Sequence, residues 1–238
     1  MNVVLYRSES RGSANHGWLQ SRFTFSFANY YCPSRLNFGA LRVLNDDIVQ
    51  AKMGFGTHPH DNMEIITIIH KGELEHKDSM GNGSRIKKGE VQVMSAGSGI
   101  THSEFNPSDD ELVSLFQIWL FPNQKNIKPR YDQTYFEDAD LDNQWRVIVS
   151  PDGAEKSMWI QQDAWLLMGN FKPDQIIEYQ PRESKNGIFL MVVDGEAEVG
   201  DYVLAKRDAA GLTDIKGSLK IQIKKQSKLL LLEVPMTQ

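Results

Sequence analysis

Two short stretches concentrate the metal-binding side chains of this sequence. The first is Gly56-Thr57-His58-Pro59-His60, with Glu64 shortly after; the second is Gly97-Ser98-Gly99-Ile100-Thr101-His102-Ser103-Glu104. Within each, donors sit at alternate positions. Alternate side chains of a β-strand face the same way, so each pair presents both donors to one side. Pro59 has no N–H to give to a neighbour, which predicts an edge or a strand start. Two such strands can bring three imidazoles and one carboxylate together. That set is of borderline softness and suits Fe, Ni, Cu, Co, Mn or Zn. An octahedral ion such as Fe(II) would keep positions for water, O2 or substrate, whereas a tetrahedral structural zinc would be closed. Spacing alone does not choose the carboxylate. Glu64 has the parity of His58 and His60 if the strand runs on, and its other reading is a carboxylate that orients a ligand imidazole.

Elsewhere the chemistry is sparse. His16, His70 and His76 read as surface or hydrogen-bonded core residues, and Arg146, Arg182 and Arg207 as scattered surface charge. Phe23-Thr24-Phe25-Ser26-Phe27 alternates strictly and predicts a core strand. No Ser-His-Asp arrangement, phosphate-cradling loop or dinucleotide fingerprint is present.

The elements that must position these donors are strands. Short apolar runs recur, among them Leu41–Leu44, Glu64–Ile69, Glu73–His76, Val91–Ser95, Leu112–Leu120, Arg146–Val149, Ile188–Val193, Leu219–Ile223 and Leu229–Val234. Turn dipeptides punctuate them: Lys71-Gly72, Asn82-Gly83, Lys88-Gly89, Asp194-Gly195 and Lys216-Gly217. Amphipathic helices are scarce, so the expected class is all-β, sandwich or barrel. An internal echo pairs Ile68–Glu75 with Met191–Glu198: an apolar run turns at Gly and resumes with Glu-x-Glu. Ser95-Ala96-Gly97 is matched more loosely by Ala209-Ala210-Gly211. Such a duplication predicts two similar β-barrels in tandem. The acidic stretch 136–143 supplies the boundary, giving units 1–140 and 141–238.

Composition excludes several classes. The chain has 238 residues, 40% of them hydrophobic and 24% charged, which suits a folded protein with a real core. The net charge of -5 and the dispersed lysines and arginines argue against direct nucleic-acid binding. Cys32 stands alone, which suits a reducing compartment. The N-terminal stretch carries no secretory apolar region, and Leu229–Leu232, the longest aliphatic run, is far too short to span a bilayer. The expectation is a cytoplasmic protein without membrane contact.

The same stretches carry a resemblance. His58-Pro59-His60 through Gly72 resembles the first motif of the cupin superfamily, and Gly89–Asn106 the second. Three further stretches are similar to the pirin family: His16-Gly17-Trp18-Leu19 with Phe25-Ser26-Phe27; Gly72-Glu73-Leu74-Glu75-His76-Lys77-Asp78-Ser79; and Met94–Glu104. The second half resembles only a degenerate cupin. What the resemblance implies is a monomeric bicupin of two jelly-roll-like barrels, with one iron-type site in the first. Its ligands would be His58, His60, His102 and Glu104. Pro181, Glu183 and Asp214 stand where a second site would need donors, so the second barrel would hold no metal and would wall the pocket of the first. Phe55 and Met53 would line that pocket.

Members similar to this chain are described as quercetin 2,3-dioxygenases. The resemblance therefore implies oxidative ring opening of a flavonol or related phenolic by O2, with release of CO. The metal would acidify the bound hydroxyl, and Glu104 would take its proton as general base. Other family members are described as transcriptional cofactors, which implies a different role: an iron-bound, redox-sensitive regulatory protein. A third expectation is a Lewis-acid cupin enzyme using zinc, because fold does not fix function.

Overall fold

The structure, a computed structural model, describes residues 1–237. Its strands are β1 (Asn2–Tyr6), β2 (Gly12–Asn15), β3 (Leu19–Phe23), β4 (Leu41–Val49), β5 (Gly54–His60), β6 (Glu64–Lys71), β7 (Glu73–Asp78), β8 (Gly83–Lys87), β9 (Glu90–Ser95), β10 (Ile100–Phe105), β11 (Val113–Leu120) and β12 (Arg130–Tyr135). A single helical turn, α1 (Asp138–Leu141), occupies the acidic stretch. There follow β13 (Arg146–Ser150), β14 (Met158–Trp159), β15 (Trp165–Phe171), β16 (Gln175–Tyr179), β17 (Asn186–Val199), β18 (Tyr202–Ala205), β19 (Ala209–Thr213) and β20 (Leu219–Pro235).

The protein is all-β, as its turn-punctuated apolar runs predict, but its sheets do not close into barrels. In the first half a seven-stranded sheet, ordered β12-β9-β6-β11-β4-β3-β2, accompanies a four-stranded sheet, β5-β10-β7-β8. The arrangement is a β-sandwich. The second half, joined by β1 from the first, forms one nine-stranded sheet, ordered β1-β19-β17-β20-β15-β13-β14, with β16 added on β20 and β18 on β17. Its two long strands change partners along their length. β20 pairs β16 through Leu219–Ile223 and β15 through Ser227–Glu233. The runs Leu219–Ile223 and Leu229–Val234 are thus one strand. The register shifts of β17 between Val192 and Ala197 mark the irregular stretch opposite.

Parity along the strands explains the core. Ile66 and Ile68 of β6, Phe116 and Ile118 of β11, and Leu230 and Leu232 of β20 join one buried cluster, so the two large sheets pack back to back. Leu229 and Leu231 lie in a separate cluster within the second half. The four-leucine run is therefore buried on both faces, which stabilises by roughly 1.5–3 kcal/mol per side chain. The other parity of the seven-stranded sheet includes Asn45, Asp47, Thr67 and Gln117. All are buried or half-buried, and all but Thr67 line a cavity in the first half.

The echo holds where the glycines are. Gly72 and Gly195 both have left-handed backbones, φ 73° and 90°. In the first half the turn splits the run into β6 and β7, which lie in different sheets; in the second, β17 continues through it. The looser match does not hold: Ser95-Ala96-Gly97 runs off the end of β9, whereas Ala209-Ala210-Gly211 lies inside β19. The Phe23–Phe27 alternation is not a strand either, because β3 ends at Phe23.

Candidate metal centre

β5 and β10 are antiparallel neighbours, with His58 opposite His102 and His60 opposite Ile100. Their inward parity brings the three imidazoles together. Ring centroids lie 4.5 Å apart for His58 and His102, and 4.9 Å for each of the other two pairs. One ring nitrogen from each falls within 4.8 Å of the other two. The His58 Nδ1–H donates to the Gly56 carbonyl at 2.8 Å, which leaves Nε2 with its lone pair. His102 Nε2 is buried and has no hydrogen-bond partner among the described residues. Burial, then the neighbouring His58, pushes His60 down to about 4 and His102 to about 3, so both are neutral donors at pH 7.

Glu104 follows on the same face of β10 and is 4% exposed. A register shift between His102 and Glu104 places it opposite Phe55 on β5 and His76 on β7. The Gln117 amide donates to both its oxygens at 3.2 Å. Burial is the main reason its carboxyl is raised to about 7; Gln117 lowers it, and Asp47 raises it further. Glu104 does not fall within the three-imidazole group. It groups instead with His102 and His76, so the two groups share His102.

Glu64 lies elsewhere. The chain leaves β5 at His60 and crosses Asp61–Met63 before β6 begins in the other sheet, so the strand does not run on. Glu64 accepts from the Ser95 hydroxyl at 2.6 Å and from the Gln161 N–H of the second half at 3.2 Å. Of the other histidines, His70 faces the junction between the halves and packs edge-on against Phe116. His16 lines the cavity described next, and His76 is fully buried behind His102.

Above the imidazoles opens a cavity of about 760 Å³. Its walls are aromatic, from Trp18, Phe23, Phe27, Tyr30, Phe55 and Trp119; Asn45, Asp47, Glu104 and Gln117 also line it, with His58 and His60. Trp119 stands edge-on to His60, 4.9 Å between centroids. Every lining residue among the described ones belongs to the first half, so the described part of the second half does not wall this cavity. Phe55 lines it as expected, but Met53 is 40% exposed and does not. Phe23 is buried at the end of β3 and, with the half-buried Phe27, walls the cavity, whereas Phe25 packs among aromatic rings outside any strand. The spacing rule mistook a looping segment for a pleated one.

A buried nitrogen with a free lone pair, two more imidazoles beside it and an adjacent buried carboxylate fit a divalent transition metal. Both potential metal-holding groups found among the described residues lie in the first half.

The comparisons with known proteins agree with this architecture. Residues 5–120 match the Pirin family, and residues 147–234 match the quercetinase C-terminal cupin domain. A quercetin 2,3-dioxygenase of Escherichia coli K12 is 41% identical over 237 residues, covering 98% of this chain and 99% of its own. The chain belongs to the pirin family. A pirin-like protein of Caulobacter vibrioides is 40% identical across 85% of this chain and 87% of its own. The crystal structure of Escherichia coli YhhW superposes on this pirin with a TM-score of 0.94, at 40% identity and 98% coverage of both chains. The nickel(II) complex of the bacterial pirin YhhW gives 0.93, at 39% identity, covering 98% of this chain and 99% of the other. No helix among the described residues is long and apolar enough to cross a membrane.

Proposed function

We propose that this pirin is a metal-dependent dioxygenase that opens the ring of a flavonol or related phenolic with O2 and releases CO, with His58, His60, His102 and Glu104 holding the ion, Fe(II) in the working enzyme. The observation that carries the reading is the cluster of three imidazoles at an aromatic-walled cavity large enough for a flat polycyclic ligand. On this reading residues 1–140 carry the chemistry, and residues 141–238 buttress the sheet behind it.

The bound ion would supply Lewis acidity toward the substrate hydroxyl and one-electron chemistry toward O2. The chain's own residues do the rest. Trp119, Phe27 and Phe23 flank the ring and exclude water. Glu104, held by Gln117 beside the imidazoles, would accept the hydroxyl proton as general base.

The test loads the purified protein with Fe(II) without air, adds quercetin, admits O2, and follows O2 uptake together with CO release. Matched O2 loss and CO gain are expected, and both vanish in His102→Ala. Bound metal without turnover would reject this substrate class.

A further inference from the structure

His76 and Asp78 take no part in the cavity, yet they are among the most fully constrained polar residues of the first half. Neither side chain has exposed surface. Both lie on β7, whose register sets Asp78 opposite His102 and His76 opposite Glu104. Asp78 Oδ1 accepts from the backbone N–H groups of Met80 at 2.9 Å and Asn82 at 3.1 Å. Its Oδ2 accepts from the Asn82 amide at 2.8 Å and lies 3.2 Å from His76 Nε2. The His76 ring is braced by Tyr131, 4.7 Å between centroids. Its Nδ1 lies 3.4 Å from His102 Nδ1.

The proton positions follow in sequence. A carboxylate only accepts, so His76 carries its proton on Nε2. The Nδ1 of a neutral His76 is then bare. Two ring nitrogens can share a hydrogen bond only if one bears the proton, so His102 supplies Nδ1–H. That leaves the lone pair of His102 on Nε2, the buried nitrogen that nothing else satisfies. We infer that Asp78 and His76 form a relay that fixes His102 in the Nδ1–H tautomer, which makes them positioning residues for the metal centre. The value of the relay to the protein rests on the reading of His102 as a ligand. His58 reaches the same tautomer by another device, the Gly56 carbonyl. Ligand imidazoles are commonly oriented by a hydrogen bond at the ring's other nitrogen, and losing such a partner weakens metal binding about 10–100-fold.

The relay can be read without metal or substrate. Long-range proton–nitrogen correlation on the metal-free, ¹⁵N-labelled protein at neutral pH should show His102 protonated at Nδ1 and His76 at Nε2. A His102 protonated at Nε2 would overturn the relay. Nickel(II) titrated calorimetrically into the protein then separates orientation from packing. His76→Phe keeps a ring against Tyr131 but can neither donate nor accept, and is expected to bind about 10–100-fold more weakly. His76→Gln has both an amide N–H and a carbonyl, and should recover most of that loss. Equal affinity in wild type and His76→Phe, or a loss that His76→Gln does not recover, overturns the relay. A wild-type protein with the expected tautomers that binds no nickel overturns the metal centre proposed above while leaving the tautomer assignment standing.

Discussion

At the scale of single residues, the two rival carboxylates have opposite surroundings. Glu104 sits beside His102 in the cavity, whereas Glu64 tethers the second half through the Gln161 N–H. Their neutral isosteres should therefore fail differently. Glu104→Gln is expected to lose at least about tenfold in metal affinity and at least about a hundredfold in turnover, on the scale of general-base removal. Glu64→Gln should keep wild-type metal content and lose about 1 kcal/mol of stability, from a weakened pair of hydrogen bonds. Metal analysis of the purified variants beside their urea midpoints checks both. Metal lost from Glu64→Gln and kept by Glu104→Gln would exchange the two roles.

At the scale of elements, the spacing of β5 and β10 decides whether the imidazoles meet. Gly54 stands where a Cβ would run into the Glu104 carbonyl oxygen and lie 2.5 Å from the Phe105 Cα. Both contacts are backbone, so the neighbouring strand itself would have to move. Gly54→Ala is expected to cost about 1–3 kcal/mol and to weaken nickel(II) binding at least about tenfold. Gly56→Ala, where a Cβ meets nothing within 4 Å, is the control and should bind normally. Equal binding by the two variants would show that strand spacing does not govern the site. The donors that meet were legible because strand parity is a local property. The two-residue repeat put His58 with His60, and His102 with Glu104, on one face each; that the two strands adjoin came with the family resemblance. What was not legible is where a strand stops and which sheet the next one joins. That hid the turn of Glu64 toward the second half, the merging of two runs into β20 and the use of Phe23 and Phe27 as walls. His76 escaped for a related reason: its His-x-Asp spacing is ordinary until β7 is known to lie beside β10.

At the scale of the whole molecule, the junction between the two large sheets carries a pH-sensitive group. Burial, then Arg207 and Lys228, pushes His70 down to about 3 from its usual 6.5. Above pH 6.5 folded and unfolded chains both hold it neutral. Between 6.5 and about 3 only the unfolded chain takes up the proton, so stability falls as pH falls. His70→Leu removes this uptake. Its stability, measured by urea unfolding at a series of pH values, should depend on pH by up to about one proton less across that window. An unchanged slope would show that His70 is protonated within the fold.

The pairing of β1 with β19 also joins distant parts of the chain, Asn2 lying opposite Thr213. A ribosome adding about 5–20 residues per second needs on the order of ten to forty seconds to travel from one partner to the other. The edge of that sheet therefore cannot be completed until β19 has been made. Until β19 emerges, β1 is an unpaired ribbon on the nascent chain, open to whatever folding helper reaches it first.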